Sequence, residues 1–186
     1  MGLFSRLFES LTSPKKSNPP RIVVHDAFDG AIRVIEAPTS DGWHSAEEER
    51  RGEDFSLKVL KYILPLEPMP LALLAKSCTV DAGGEPPDDP GTKDWQAVFQ
   101  SLFSSVSKVE TRVSKQLTMT GTLMATEAIL EGLGAEPAVS LCIRERRAVL
   151  GQEEFIVTAI GSPDAFKQYG PEIDQWFSTV AFVPMG

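Results

Sequence analysis

Leu3, Phe4, Leu7, Phe8 and Leu11 recur one helical turn apart at the start of the chain, with Ser5, Arg6, Glu9 and Ser10 on the other face. That spacing predicts an amphipathic helix of about three turns. The stretch that follows, TSPKKSNPP, has no apolar anchor and reads as a flexible linker ending at Pro20. From there the period changes. RIVVHDAF and AIRVIEAP are short, β-branched and separated by Asp-Gly, a hairpin signal. DGWHSAEEERRGED predicts a charged connection carrying Trp43, its EEERR run a solvated face or a helical turn. FSLKVLKYIL alternates at Phe55, Leu57, Val59 and Lys61, a half-buried strand with one polar interruption. PLEPMPLALLAKSCTV is a proline-rich turn followed by either a short helix or a strand.

DAGGEPPDDPGTKD combines the residues that favour turns and predicts a loop. Beyond it Trp95, Val98, Phe99, Leu102, Phe103 and Val106 recur at three- and four-residue spacing, which predicts a helix over 95–106. VETRVSKQLTM, GTLMATEAILEGL, AVSLCIRERRAVL and EEFIVTAIG then read as consecutive strands joined by glycine-containing turns, GLGAEP and GQEE among them. Such a series predicts an antiparallel meander. At the end, Ser162 is placed to cap a helix, Pro163 occupies its first position and Asp164 its positive end. Gly170-Pro171 starts a second helical segment. Phe166, Tyr169, Ile173, Trp176, Phe177 and Val180 form a stripe suited to packing on a sheet. The expected organisation is an N-terminal helix and linker over 1–20, then a single α+β domain over 21–186.

Composition narrows the function. The 186 residues carry a formal net charge of −8, which argues against a nucleic-acid partner needing a basic face. Neither a secretory signal nor a run long enough to span a membrane is evident, so the expected place is the cytoplasm. Peripheral membrane contact through residues 1–12 is an alternative, with weak attraction from Lys15 and Lys16. Gly2 does not make a myristoylation site, because Arg6 stands where that motif takes Ser or Thr. Cys78 and Cys142 lie outside any paired-cysteine motif, and Cys142, in AVSLCI, reads as a buried thiol.

Catalytic signatures are missing. There is no GxSxG elbow, phosphate-binding loop or dinucleotide fingerprint, and no cofactor, metal ligand or catalytic residue is expected. The two histidines, His25 and His44, have no ligand set at metal spacing. Alternation places Arg144 and Arg146 on one strand face, to meet an acidic partner or to pair across strands with Glu127 or Glu153. Candidates for a surface interaction are therefore Trp43, His44, Arg144 and Arg146. Candidates for partner or membrane contact are Leu3, Phe4, Leu7, Phe8 and Leu11.

The order of elements resembles the PsbP-like fold shared by Mog-type Ran-binding proteins, photosystem PsbP proteins and bacterial DcrB-like proteins. The likeness rests on Phe155-Ile156-Val157-Thr158, on Ser162-Pro163 with Phe166, on Phe177-Ser178 with Phe182, and on Asp41-Gly42-Trp43. It covers the last hundred residues or so and departs at PLEPMPLALLAKS and in the N-terminal segment. The resemblance implies a mainly antiparallel sheet flanked by helices in an α/β/α sandwich. It also implies a non-catalytic binding module, such as an adaptor or a chaperone that shields apolar segments of secreted effectors. Two other readings stand beside it. One is a hydrolase in which a carboxylate works with His25 or His44, lined by Trp43 and EEERR. The other is an accessory domain tethered to a membrane by its N-terminal helix.

Overall fold

The computed structural model describes residues 25–27, 32–34, 36–38, 40–52, 55–80, 94–118, 121–136 and 138–183. Leu3, Phe4, Leu7, Phe8 and Leu11, with the helix and linker expected over 1–20, lie outside these residues. The described chain is α+β and mainly antiparallel sheet. Strands β1 (His25–Ala27) and β2 (Ile32–Val34) pair as the Asp-Gly signal predicts. They form a three-stranded sheet with the last strand, β10 (Val180–Phe182).

The larger sheet has seven strands. These are β3 (His44–Arg51), β4 (Phe55–Leu64), β5 (Leu71–Val80), β6 (Phe103–Thr118), β7 (Gly121–Gly134), β8 (Ser140–Leu150) and β9 (Glu153–Gly161). Their spatial order is β3-β4-β5-β9-β8-β7-β6, antiparallel at every step. Strands β6 to β9 thus form the expected meander, and β9 returns beside β5 to join it to the first half. PLEPMPLALLAKSCTV resolves as turn and strand, with Leu71 to Ala75 buried in the sheet interior.

Two expectations are corrected. The helix foreseen over 95–106 is only α1 (Trp95–Phe99), capped by Asp94 Oδ1 accepting from the Ala97 amide. The Leu102 amide closes its last turn on the Phe99 carbonyl at 2.8 Å, and Phe103 already begins β6. The apolar stripe is real, since Trp95, Phe99, Leu102 and Phe103 are all buried in one cluster. From Phe103 onward, however, the β-branched Val106, Val109, Thr111 and Val113 favour a strand, and β7 supplies a partner for it. The second correction is EEERR: it is the solvated face expected, with Glu47, Glu49, Arg50 and Arg51 exposed, but it stands on strand β3 rather than in a connection or a helical turn. It is an edge strand, and its charged side chains make that edge a poor template for further pairing.

Side-chain alternation puts an apolar cluster on each face of the large sheet. One face carries Leu60, Tyr62, Leu73, Phe155 and Val157. It packs against β2, β10 and two helices, α2 (Pro163–Gln168) and α3 (Gly170–Thr179). Trp176 meets Tyr62 edge-on at 5.4 Å between ring centroids, and Phe155 stacks on Phe182 at 5.1 Å. The punctuation read from the sequence holds here: the Ser162 hydroxyl accepts from the Ala165 amide at 3.1 Å, and Pro163 follows at the first turn. The other face carries Val59, Leu74, Leu130, Ile143 and Ile160 and is covered by α1 and Leu102. Both cysteines are free thiols. Burial pushes Cys142 up to about 12, with the nearby Glu131 carboxylate adding to the effect and Lys108 opposing it. Cys142 is therefore expected to stay silent towards a disulfide reagent at about pH 8 and to react fully once denaturant unfolds the chain. A thiol titration with and without urea checks this.

Candidate functional site

Of the four surface candidates, Trp43 and Arg146 are buried, while His44 and Arg144 are half-buried. Trp43 is 4% exposed and belongs to the helix-side cluster. The preceding Gly42, at φ 96°, occupies a backbone region that favours glycine and turns the chain inward there. The Trp43 indole donates to Glu172 Oε2 at 2.9 Å and to Ser40 Oγ at 3.0 Å, tying the entry of β3 to α3. Apart from those bonds, the whole indole is spent on packing.

Arg144 and Arg146 do share a face, but it is the one that α3 covers, so Arg146 is buried and Arg144 half-buried. Glu127 lies directly across from Arg146 and is itself 1% exposed. It accepts from Arg146 Nε at 3.1 Å, from Arg144 Nε at 3.2 Å and from Arg112 Nε at 2.8 Å. Arg146 also donates to Gln116 Oε1 at 2.6 Å and to the Phe177 carbonyl at 2.7 Å, while Arg144 reaches Asp174 at 2.6 Å. Both guanidinium groups lie over the Phe177 ring, 4.2 and 5.2 Å from its centroid. Of the two pairings foreseen, Glu127 is the one formed. Burial alone would raise the Glu127 carboxyl, but the bond from Arg112 and the charges of Arg144 and Arg146 hold it below the usual carboxylate range. This cluster clamps helix to sheet.

A second polar group, unforeseen in the sequence, occupies the face beneath α1. Register aligns Glu48, Val59, Lys76, Ile156 and Arg147 across five strands, and Lys61, Leu74, Thr158 and Glu145 in the adjoining row. Lys61, 3% exposed, donates to Glu48. Arg147 pairs with Glu145 and with Glu154 at 3.1 Å, and it lies 5.7 Å over the Trp95 ring. Thr158 donates to Glu145 at 2.8 Å. Burial works against the Arg147 charge, yet Glu145 and Glu154 raise its pKa above the ordinary value. The sequence signal for this group was the lysine interrupting FSLKVLKYIL and its counterpart in LALLAKSCTV.

His44 lies across from Ile63 on the β3 edge, and its ring makes no hydrogen bond or ion pair among the described residues. Among the described residues it therefore has no carboxylate partner of the kind a hydrolase would use. His25 lies on β1, in the other sheet. Among the described residues, no group of His, Cys, Asp and Glu side chains could hold a metal ion.

The remaining feature is the opposite edge. Among the described residues, β6 is 16 residues long, pairs in the sheet with β7 alone and also comes close to β10. Its outer half carries Val113 and Leu117, 69% and 75% exposed, with Met124 of β7 across from Lys115 between them and 51% exposed. Register puts all three on the face that α1 covers elsewhere, as an exposed row in which Lys115 stands between Val113 and Leu117.

No protein-family model and no curated protein matches the chain. Among solved structures, it is similar to PA94, a protein of unknown function from Pseudomonas aeruginosa, at 14% identity and a TM-score of 0.48, over 77% of this chain and 99% of that one. It is also similar to LpqN, involved in cell envelope biogenesis of Mycobacterium tuberculosis, at 12% identity and a TM-score of 0.40, over 84% of this chain and 94% of that one. Likenesses this distant carry no argument about function. No described helix is long and apolar enough to cross a membrane.

Proposed function

We propose that the chain is a non-catalytic protein-binding module, an adaptor or chaperone that takes an extended apolar segment of another protein along β6. The observation that carries this reading is the β6 edge with its exposed row of Val113, Leu117 and Met124. An added strand would find main-chain groups to pair with, and every second side chain of that segment would lie beside the row. β3, the other edge, lacks such a row and presents Glu47, Glu49, Arg50 and Arg51 to solvent. The partner segment is accordingly β-branched or aromatic at alternate positions. The resemblance to PsbP-like proteins points the same way, and with it comes the α/β/α sandwich, supported by the apolar clusters on both sheet faces.

Photo-crosslinking in the native cell tests the reading. A benzophenone side chain at position 117 is expected to capture one discrete foreign protein through an apolar segment, and the same probe at Glu49 to capture none. Exchanging Val113 and Leu117 for Asp should leave the melting temperature within about 2 °C, since exposed substitutions change stability little. The adduct yield, read with the probe moved to position 124, should fall at least about tenfold, the loss of roughly 1.4 kcal/mol of apolar contact. Adducts only with a second copy of the chain, or none at all, would overturn the proposal.

A further inference from the structure

β6 carries three basic residues, Lys108, Arg112 and Lys115. Two of them find a carboxylate directly across on β7: Lys108 reaches Glu131 at 3.2 Å and Arg112 reaches Glu127 at 2.8 Å. Lys115 does not. Across from it stands the thioether of Met124, and the diagonal positions on β7 are Thr122 and Thr126. Its same-face neighbours along β6 are Val113 and Leu117, so none of these side chains carries a charge. Lys115 is exposed and, among the described residues, makes no hydrogen bond or ion pair.

The side of Lys115 left open is the free edge of β6. A lysine on an edge ordinarily discourages any further strand. That role alone leaves its flanks unexplained, because Val113 and Leu117 are the most exposed large apolar side chains among the described residues. We infer that Lys115 is the specificity-determining residue of the β6 edge, admitting an extended segment that carries one carboxylate between two apolar residues at alternate positions. This deepens the strand-addition reading given above and rests on it. An antiparallel strand added to β6 sets one residue directly opposite each of Val113, Lys115 and Leu117, on the same face. A Glu or Asp at the middle position meets the ammonium, and the residues two positions to either side cover Val113 and Leu117.

Two further observations set the number of acids and the choice of partner. The chain has a formal net charge of −8, which repels a segment acidic along its whole length, so a single carboxylate in register suits the site. The same lysine also rejects a second copy of the chain. Two β6 strands paired antiparallel about Lys115 would bring Val113 opposite Leu117 twice, a sound apolar match, and would set Lys115 against Lys115. Like charges directly opposite one another are destabilising. The edge is thus open to a foreign segment and closed to itself.

Binding of three synthetic peptides to the full chain tests the inference. They share the frame Ser-Val-Thr-Xaa-Thr-Val-Ser, with Glu, Gln or Lys at Xaa, and carry a fluorophore read by anisotropy. At low ionic strength the Glu peptide is expected to bind about tenfold more tightly than the Lys peptide, with the Gln peptide between them. The spread should shrink in about 1 M salt, where exposed charges are screened. Lys115→Glu should reverse the order, and Lys115→Gln should bring the three together. Equal binding of the three peptides, or an order that survives Lys115→Glu, would overturn the inference and leave strand addition at β6 standing. Binding of none of them at millimolar concentration would overturn both. Lys115→Leu should sediment as a larger species than wild type at the same concentration; unchanged sedimentation would overturn the exclusion of a second copy.

Discussion

Replacing Glu127 by Gln is expected to cost roughly 3–5 kcal/mol of folding stability, the range for removing one partner from a buried ion-pair cluster. Glutamine keeps the shape and one carbonyl oxygen, so packing is almost unchanged. What disappears is the charge facing Arg112, Arg144 and Arg146. Arg112 is well exposed and can turn to water, and Arg144 retains Asp174. Arg146 has no such escape: it is 8% exposed, held between Gln116 and the Phe177 carbonyl, and is left as a desolvated cation. The cost therefore concentrates where α3 meets the sheet. Urea unfolding at pH 7 measures it, and a loss under about 1 kcal/mol would show that the cluster is solvated.

The same substitution makes a prediction in pH. The folded Glu127 carboxyl lies below its unfolded value, because the arginines outweigh the effect of burial. Its contribution is therefore complete above the unfolded value, near 4.3, and is lost as pH falls through the lower folded one. The gap between wild type and the Gln variant should stay wide from pH 7 down to about 5 and narrow below about 4. A gap constant down to pH 2, well below the unfolded value, would mean that something other than the charge of Glu127 was lost.

How much of this was legible depended on how local the signal was. Ser162-Pro163 and the glycine turn between β8 and β9 are settled within a few residues and stand in the structure as read, whereas FSLKVLKYIL is the expected strand but is buried on both faces from Val59 to Leu64 rather than half-buried. The stripe from Trp95 to Val106 was ambiguous because a short helix followed by a strand buries the same side chains as one long helix. Pairing with β7 decided it, and that information lies about thirty residues away in sequence. The strand at EEERR was illegible for a different reason: a charged edge strand has no apolar face, so alternation leaves nothing to detect. The candidate sites were harder still. Arg144 and Arg146 read as surface groups and Lys61 as a polar interruption in an apolar row, yet Lys61, Glu127, Glu145 and Arg146 are buried, each matched by a partner on another strand. Trp43 finds its acceptor at Glu172, on the last helix. Polar residues in an interior are specified pairwise: strand alternation offers Glu127 to Arg146, but their burial and the partners of Lys61 and Trp43 depend on which strands and helices become neighbours.

Gly132 shows how the same pairwise logic sets the candidate binding edge. A Cβ there would stand 2.2 Å from the Ser105 carbonyl oxygen and 3.0 Å from the Val106 Cα, both backbone atoms that cannot turn aside. β6 is irregular on either side of this point, between Phe103 and Ser105 and again between Val106 and Lys108, as it arches over the glycine. Exchange of Gly132 for Ala should cost roughly 3 kcal/mol, at the upper end for a side chain forced into a filled space. The functional consequence is larger than the energy suggests. Each single-residue irregularity reverses which side of the sheet the following residues face. If the strand relieves the clash by losing one of them, Val113 and Leu117 turn towards the face of Arg112, and the exposed apolar row is broken. Hydrogen exchange should then show protection lost first across 103–110, and crosslinking from position 117 should fall with it. A Gly132→Ala variant that melts like wild type and still captures the partner would mean that the close approach to Ser105 does not fix the phase of β6.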